Sequence, residues 1–204
     1  MQAQAIFNDI PEKIDPKATY MFYLHGGVVQ DQGANAVSQY YGKYEYQAIL
    51  DSLSSRGYYV ISEVRPKNTQ EKEYAKKLNR QITILLNAGV AADHIVVVGA
   101  SLGAYITLET ALIIKNPDIQ MVLLGLCSQY ALKYFSGYKE HFYGRFLSIY
   151  ELSDSKGSCK PIFISRNDSC DFSEIALNMG IDHAFLFKPH KEWMNAIDEW
   201  LDKN

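Results

Sequence analysis

The 204 residues predict an α/β fold of about six mostly parallel strands flanked by helices, without a large lid. Two observations carry this. Apolar runs of strand length alternate with segments of helical spacing, as a parallel sheet with crossover helices requires. An apolar content of 48% over this length can fill one good core, so residues 1–204 are expected to form one domain.

The elements follow in order. Tyr20–Leu24 is an apolar strand that runs into His25-Gly26-Gly27. Over residues 46–56, Ile49, Leu50 and Leu53 recur at helical spacing, and Gly57 supplies a C-terminal stop. Residues 58–62 form the next strand. Residues 71–88 place Leu78, Ile82 and Leu85 on one helix face, with Gly89 after the end. Ile95, Val96, Val97 and Val98 are four β-branched residues in a row, a buried strand, and a helix is expected over residues 105–115. Residues 121–126, 146–150 and 173–177 read as further strands. Residues 193–201 close the chain as a helix with Trp193, Ile197, Trp200 and Leu201 inward.

Composition excludes several classes. A net charge of −3 with scattered lysines and arginines leaves no basic footprint for nucleic acid. The longest apolar run, residues 121–127, is far below the roughly 20 needed to span a bilayer. Met1-Gln2-Ala3-Gln4-Ala5 lacks a signal core, yet its small residues resemble the end of a cleaved one. A cytoplasmic and a periplasmic or secreted location both stay open. No cysteine–histidine cluster has zinc spacing, and a nucleotide-binding domain is disfavoured because neither Gly-x-Gly-x-x-Gly nor a phosphate loop is present.

The chemistry concentrates after the third long apolar run. Gly99-Ala100-Ser101-Leu102-Gly103 follows a strand and precedes a helix, the setting of a nucleophile elbow. A sharp strand-to-helix turn would lift the Ser101 hydroxyl above the sheet. It leaves no room for a Cβ two residues to either side, hence the glycines. The Leu102 amide would then open a helix and could face a developing oxyanion.

A serine needs a base, and the base needs a carboxylate to hold its tautomer. In an elbow architecture the chain order is serine, acid, histidine. His183, in the short loop before the last helix, is preferred as base. His190 sits at that helix's start and stays the alternative, while His141 precedes any plausible acid. Asp154, just past the strand at 146–150, is preferred as acid. Its competitor is Asp168, or Asp171, should residues 161–165 be the penultimate strand instead. Gly27 is expected to give the second oxyanion amide beside Leu102. His25 and Arg65 lie at the same sheet edge as possible substrate contacts, with a structural role for the His25 imidazole. The aromatic stretch 128–145 offers Tyr130 and Tyr134 as a wall over the site, or as mere packing on the sheet.

With those residues in place, the chain is similar over nearly its full length to the α/β-hydrolase superfamily. It resembles most closely a small group of bacterial hydrolase-like proteins without an assigned substrate. Their Tyr-Leu-His-Gly, Gly-Ala-Ser-x-Gly-Ala and Leu-Ser-Ile-Tyr-Glu-x-Ser-Asp patterns resemble Tyr23 to Gly26, Gly99 to Ala104 and Leu147 to Asp154. The resemblance implies a serine hydrolase fold with a catalytic triad of Ser101, Asp154 and His183, and names no substrate. The stretch before Tyr20 is too short for the two antiparallel strands that open the full fold. Without a lid, the expected substrate is a small ester or thioester, cleaved through an acyl-enzyme with no metal or organic cofactor. An acyltransferase or peptidase using the same triad, or a binding protein on a hydrolase scaffold, are the alternatives. Cys127 and Cys159 both follow strands expected to be neighbours and are a candidate disulfide.

Overall fold

The structure, a computed structural model, describes residues 5–138, 141–163 and 170–203. Its main sheet is built from β1 (Ile6–Phe7), β2 (Tyr20–Leu24), β5 (Tyr59–Ile61), β6 (Ile95–Ala100), β7 (Gln120–Leu124), β8 (Gly144–Glu151) and β9 (Cys170–Leu177). The spatial order is β1-β5-β2-β6-β7-β8-β9, and every pairing is parallel. Strands β2, β6 and β7 are buried at every position. That is why they read as continuous apolar runs rather than alternating ones.

Helices cover both faces. Facing one cluster of the core are α3 (Glu71–Asn87) and α4 (Leu102–Ile114); facing the other are α1 (Gly27–Gln32), α2 (Tyr46–Ser55) and α7 (Lys191–Asp202). In α3, Leu78, Ile82 and Leu85 are fully buried, each contributing on the order of 2 kcal/mol. Helix α4 is apolar nearly all round because it is buried nearly all round. Its Thr107 and Thr110 hydroxyls are satisfied by the carbonyls of Gly103 and Ile106 at 3.0 and 2.8 Å.

The sheet has seven strands where about six were expected. The addition is β1, whose pairing with β5 carries too few residues to leave a pattern in the sequence. A small hairpin of β3 (Val37–Ser38) and β4 (Gly42–Lys43) was also not legible, for the same reason. After β7 the chain forms α5 (Gln129–Phe135), with the Ser128 hydroxyl accepting the Ala131 amide as its cap. Of the run at 161–165, the competing strand, residues 161–163 belong to a single helical turn, α6 (Lys160–Phe163), and residues 164 and 165 lie outside the described residues. Among the described residues, no helix is long and apolar enough to cross a membrane.

Cys127, after β7, and Cys159, before α6, form a disulfide with Cα atoms 5.3 Å apart. It closes a loop of 32 residues, which on chain-entropy grounds stabilises the fold by about 3–4 kcal/mol. Urea unfolding of the Cys127→Ser, Cys159→Ser double variant should show a loss of that order. A loss below about 1 kcal/mol would count against the bridge as a stabilising element.

Candidate active site

Ser101 stands between β6 and α4, as the N-cap of α4, with φ 53° and ψ −110°, one of few non-glycine residues here with positive φ. Such a conformation costs about 1–3 kcal/mol and persists only when its surroundings hold it. The Ser101 amide donates to the Leu124 carbonyl at 2.8 Å, while the Ser101 carbonyl accepts from Ala104 and Tyr105 at 2.9 and 3.1 Å. Both flanking glycines are sterically required. A Cβ at Gly99 would stand 2.5 Å from the Ala104 backbone. One at Gly103 would stand 2.6 Å from the carbonyl carbon of Leu24, and closer still to its oxygen.

His183 lies in a 3-10 turn, Asp182–Leu186, that crosses back over the end of the sheet. Its Nδ1–H donates to Asp154 Oδ2 at 2.5 Å, with side chains 10% and 1% exposed. Gly125, with φ 57°, lets the ring lie against the end of β7: a Cβ there would come within 3.1 Å of His183 Cε1. Burial by itself pushes the Asp154 carboxyl up. The hydrogen bond and charge of His183, with the Lys156 amide, outweigh it and hold the group below the usual carboxylate range. An ionised Asp154 can only accept, so the ring proton sits on Nδ1 and Nε2 is left as the basic atom.

Ser101 and His183 both line a hollow of about 180 Å³, otherwise walled chiefly by Gly26, Gly27, Tyr41, Tyr44, Leu186 and Phe187. Gly27 opens α1 as Leu102 opens α4, so the first amides of two helices lie beside the hollow without intrahelical partners. The two helix starts adjoin: a Cβ at Gly26 would be 3.7 Å from Ser101 Cβ, and one at Gly27 would be 3.6 Å from Leu102 Cδ2.

The alternative residues fall elsewhere. His190 caps α7 and is not among the residues lining the hollow. Asp171, at the start of β9, sits at the opposite end of the strands, 3.9 Å from Arg145. Asp168 lies outside the described residues.

His25 and Arg65 are displaced from the substrate-contact role considered for them. They are 0% and 1% exposed and spend their polar atoms inside the protein. His25 Nδ1–H donates to the Gly26 carbonyl at 2.9 Å, and Nε2 accepts the Arg65 amide at 2.9 Å. The Arg65 guanidinium donates to the His25 carbonyl and to Gln30 Oε1. Together they brace the Gly26-Gly27 loop from behind. Tyr130 and Tyr134 line a different hollow of about 440 Å³, with Tyr105, Glu109 and Lys72. The Tyr134 hydroxyl donates to Glu109 there at 2.8 Å.

Burial, and then the Arg65 charge, hold the His25 imidazole down at about 3. The unfolded chain, with an ordinary histidine near 6.5, therefore binds a proton across pH 3 to 6.5 that the folded chain refuses. Stability is complete above that window and falls as pH falls through it, by up to about 1.4 kcal/mol per pH unit. Denaturant midpoints at pH 7, 6 and 5 should decrease in step; a constant midpoint would remove His25 as a buried neutral group.

The sequence did not reveal Tyr41 or Glu151. Tyr41, on the turn between β3 and β4, sets its ring 6.2 Å from that of His183, tilted by 57°, and donates to Asp182 at 3.4 Å. Nothing local marks it, since its role comes from a contact 141 positions away. Glu151 ends an apolar strand with a charge, which was a usable signal.

No protein-family model and no curated protein sequence matches the chain. Solved structures do. An esterase of Pyrococcus furiosus, Pf2001, superposes with a TM-score of 0.62 at 16% identity, over 93% of this chain and 82% of its own. SOBER1 of Arabidopsis thaliana gives 0.58 at 13%, over 91% and 98%. Est1E of Butyrivibrio proteoclasticus, solved with ferulic acid, gives 0.59 at 12%, over 96% and 92%. Dipeptidyl peptidase 4 of Porphyromonas gingivalis gives 0.56 at 14%, and there the chain spans only 32% of the larger protein. The chain has the α/β-hydrolase fold in a compact form, with no large lid among the described residues.

Proposed function

We propose that this chain is a serine hydrolase that cleaves a small ester or thioester through an acyl-enzyme. The observation that carries the reading is one small hollow walled by an elbow serine, a carboxylate-bound histidine and two helix starts. Ser101 Oγ attacks the carbonyl carbon as His183 Nε2 takes its proton, and Asp154 stabilises the imidazolium that forms. The amides of Gly27 and Leu102 receive the oxyanion, each such donor contributing about 3 kcal/mol to lowering the barrier. The tetrahedral intermediate collapses, the alcohol or thiol leaves with the proton from His183, and water repeats the sequence to release the acid and regenerate Ser101.

The hollow also limits the acyl group. An apolar cavity of about 150 Å³ accommodates benzene. About 180 Å³ between Tyr41, Tyr44, Leu186 and Phe187 therefore suits a short aliphatic or single-ring acyl group. Fluorophosphonate labelling located by mass spectrometry, with p-nitrophenyl acetate, butanoate, benzoate and dodecanoate as a panel, tests both statements. The expected result is an adduct on Ser101 and turnover that collapses for dodecanoate. Folded protein that neither labels nor hydrolyses any ester would overturn the reading in favour of a binding scaffold.

A further inference from the structure

The groups expected to carry proton transfer stand on two irregular segments. Asp154 lies three residues beyond the end of β8, and His183 six beyond the end of β9. Strand pairing stops at Glu151↔Leu177, so the ladder itself fixes neither segment. What joins them is the side chain of Glu151, which is fully buried. Its Oε1 accepts the amides of Met179 and Gly180, at 2.8 and 3.1 Å, on the histidine segment. Its Oε2 accepts the amide of Ser153 at 2.8 Å, and the Ser153 hydroxyl, on the acid segment. The Ser153 oxygen in turn accepts the Asp182 amide at 2.9 Å, one residue before His183. The Glu151 carbonyl also receives the Asp154 amide at 3.0 Å.

A single carboxylate therefore gathers four donors from both segments, and these bonds require no cation. Burial pushes this carboxyl up, but the Ser153 hydroxyl and the amides of Met179, Ser153 and Gly180 outweigh it and hold it down at about 2. The anion stays charged wherever esters are ordinarily cleaved. A glutamine would not replace it. Whichever way the amide turned, its NH₂ would face N–H or O–H donors, and one segment would lose its anchor.

We infer that Glu151 is a positioning residue of the hydrolytic machinery: it clamps the acid and histidine segments together and so sets the Asp154–His183 hydrogen bond. This deepens the serine hydrolase reading and rests on it for its kinetic consequences. Outer groups that fix the orientation of a working histidine commonly matter by one to two orders of magnitude.

The test uses Glu151→Gln, Ser153→Ala, Asp154→Asn and the Glu151→Gln, Asp154→Asn double variant in the full chain. Folding is checked by circular dichroism. Glu151→Gln should lower kcat for p-nitrophenyl butanoate by about 30- to 100-fold with KM within about twofold, because substrate contacts are untouched. Ser153→Ala, which cuts only the hydroxyl bridge, should lower it several-fold and keeps the test open should Glu151→Gln not fold. The double variant should be no slower than Asp154→Asn, since a clamp has nothing to align once the acid is gone. The proton NMR resonance of His183 Nδ1–H, expected far downfield in the wild type, should move upfield or broaden in both clamp variants.

That resonance would report on the clamp even in a protein that proved not to hydrolyse esters, so failure of the clamp and failure of the hydrolase reading are separable. A Glu151→Gln protein within threefold of wild-type kcat with an unmoved resonance would overturn the proposal. So would losses from Glu151→Gln and Asp154→Asn that multiply in the double variant, as expected of a merely structural residue.

Discussion

Ser101→Ala is expected to reduce ester turnover by a factor on the order of 10⁶, to the residue left by binding and oxyanion stabilisation. Asp154→Asn should cost about 10⁴, because an amide at that position permits the wrong imidazole tautomer and cannot stabilise its cation. The Ser101→Ala variant should fold, since Ser101 is held by backbone hydrogen bonds that alanine keeps. Relief of the positive φ is no gain either, since alanine dislikes it as much as serine does. Steady-state hydrolysis of p-nitrophenyl butanoate, with the fluorophosphonate adduct as a control, measures the two losses. An alanine variant that kept more than about a hundredth of the wild-type rate would remove Ser101 from the chemistry.

The second large effect concerns folding. Gly103→Ala introduces one methyl group, yet that methyl would lie 2.6 Å from the Leu24 carbonyl carbon and 2.9 Å from Leu24 Cβ. The obstacle is backbone at the end of a fully buried strand and cannot turn aside as a flexible side chain would. Either α4 moves off the sheet or β2 shifts. Overpacking of ordinary core positions costs about 1–3 kcal/mol, and a backbone collision belongs at or beyond the top of that range. Little soluble protein, or a thermal midpoint lowered by more than about 6 °C, is the expected result. Gly137→Ala, where a Cβ meets nothing within 4 Å, is the matched control and should leave stability within about 0.5 kcal/mol. Equal behaviour of the two variants would refute the close helix–strand approach.

Much of this architecture was legible because the central strands carry their own signal. The runs at Tyr20, Ile95 and Met121 are buried on both faces and apolar throughout, and the glycines around Ser101 mark a turn only glycine fits. Elements of two residues, such as β1 and the β3–β4 hairpin, carry no periodicity to read. The run Pro161-Ile162-Phe163-Ile164 has strand composition, yet it starts as a helical turn. Just before it, the Cys159 disulfide and the bonds of Ser158 and Cys159 to Glu174 decide the backbone instead.

At the site, the elbow motif marked Ser101, while Asp154 and His183 were preferred over Asp168, Asp171 and His190, and the structure brings Ser101 and His183 to one hollow with Asp154 behind the ring. Sequence could not say that Arg65 is buried, since an arginine after a strand is ordinarily exposed. Nor could it say which way α5 would carry Tyr130 and Tyr134, because the aromatic stretch has no period. For Glu151 the sequence offers one signal, a charge ending an apolar strand, but three of its four donors are backbone amides, which leave no trace in residue types.

Arg65 has a consequence best expressed as a field. Its guanidinium is out of water, close to the Tyr74 ring, and its Nη1 meets no hydrogen-bond partner among the described residues. Keeping a cation so placed costs several kcal/mol of hydration, and folding bears that cost before any ligand arrives. The same cation grips the His25 carbonyl, one peptide from the glycine loop, and two helix starts add their partial positive charge nearby. Negative charge that develops beside Gly27 and Leu102 would meet a potential already in place, set by groups that do not have to reorient in response.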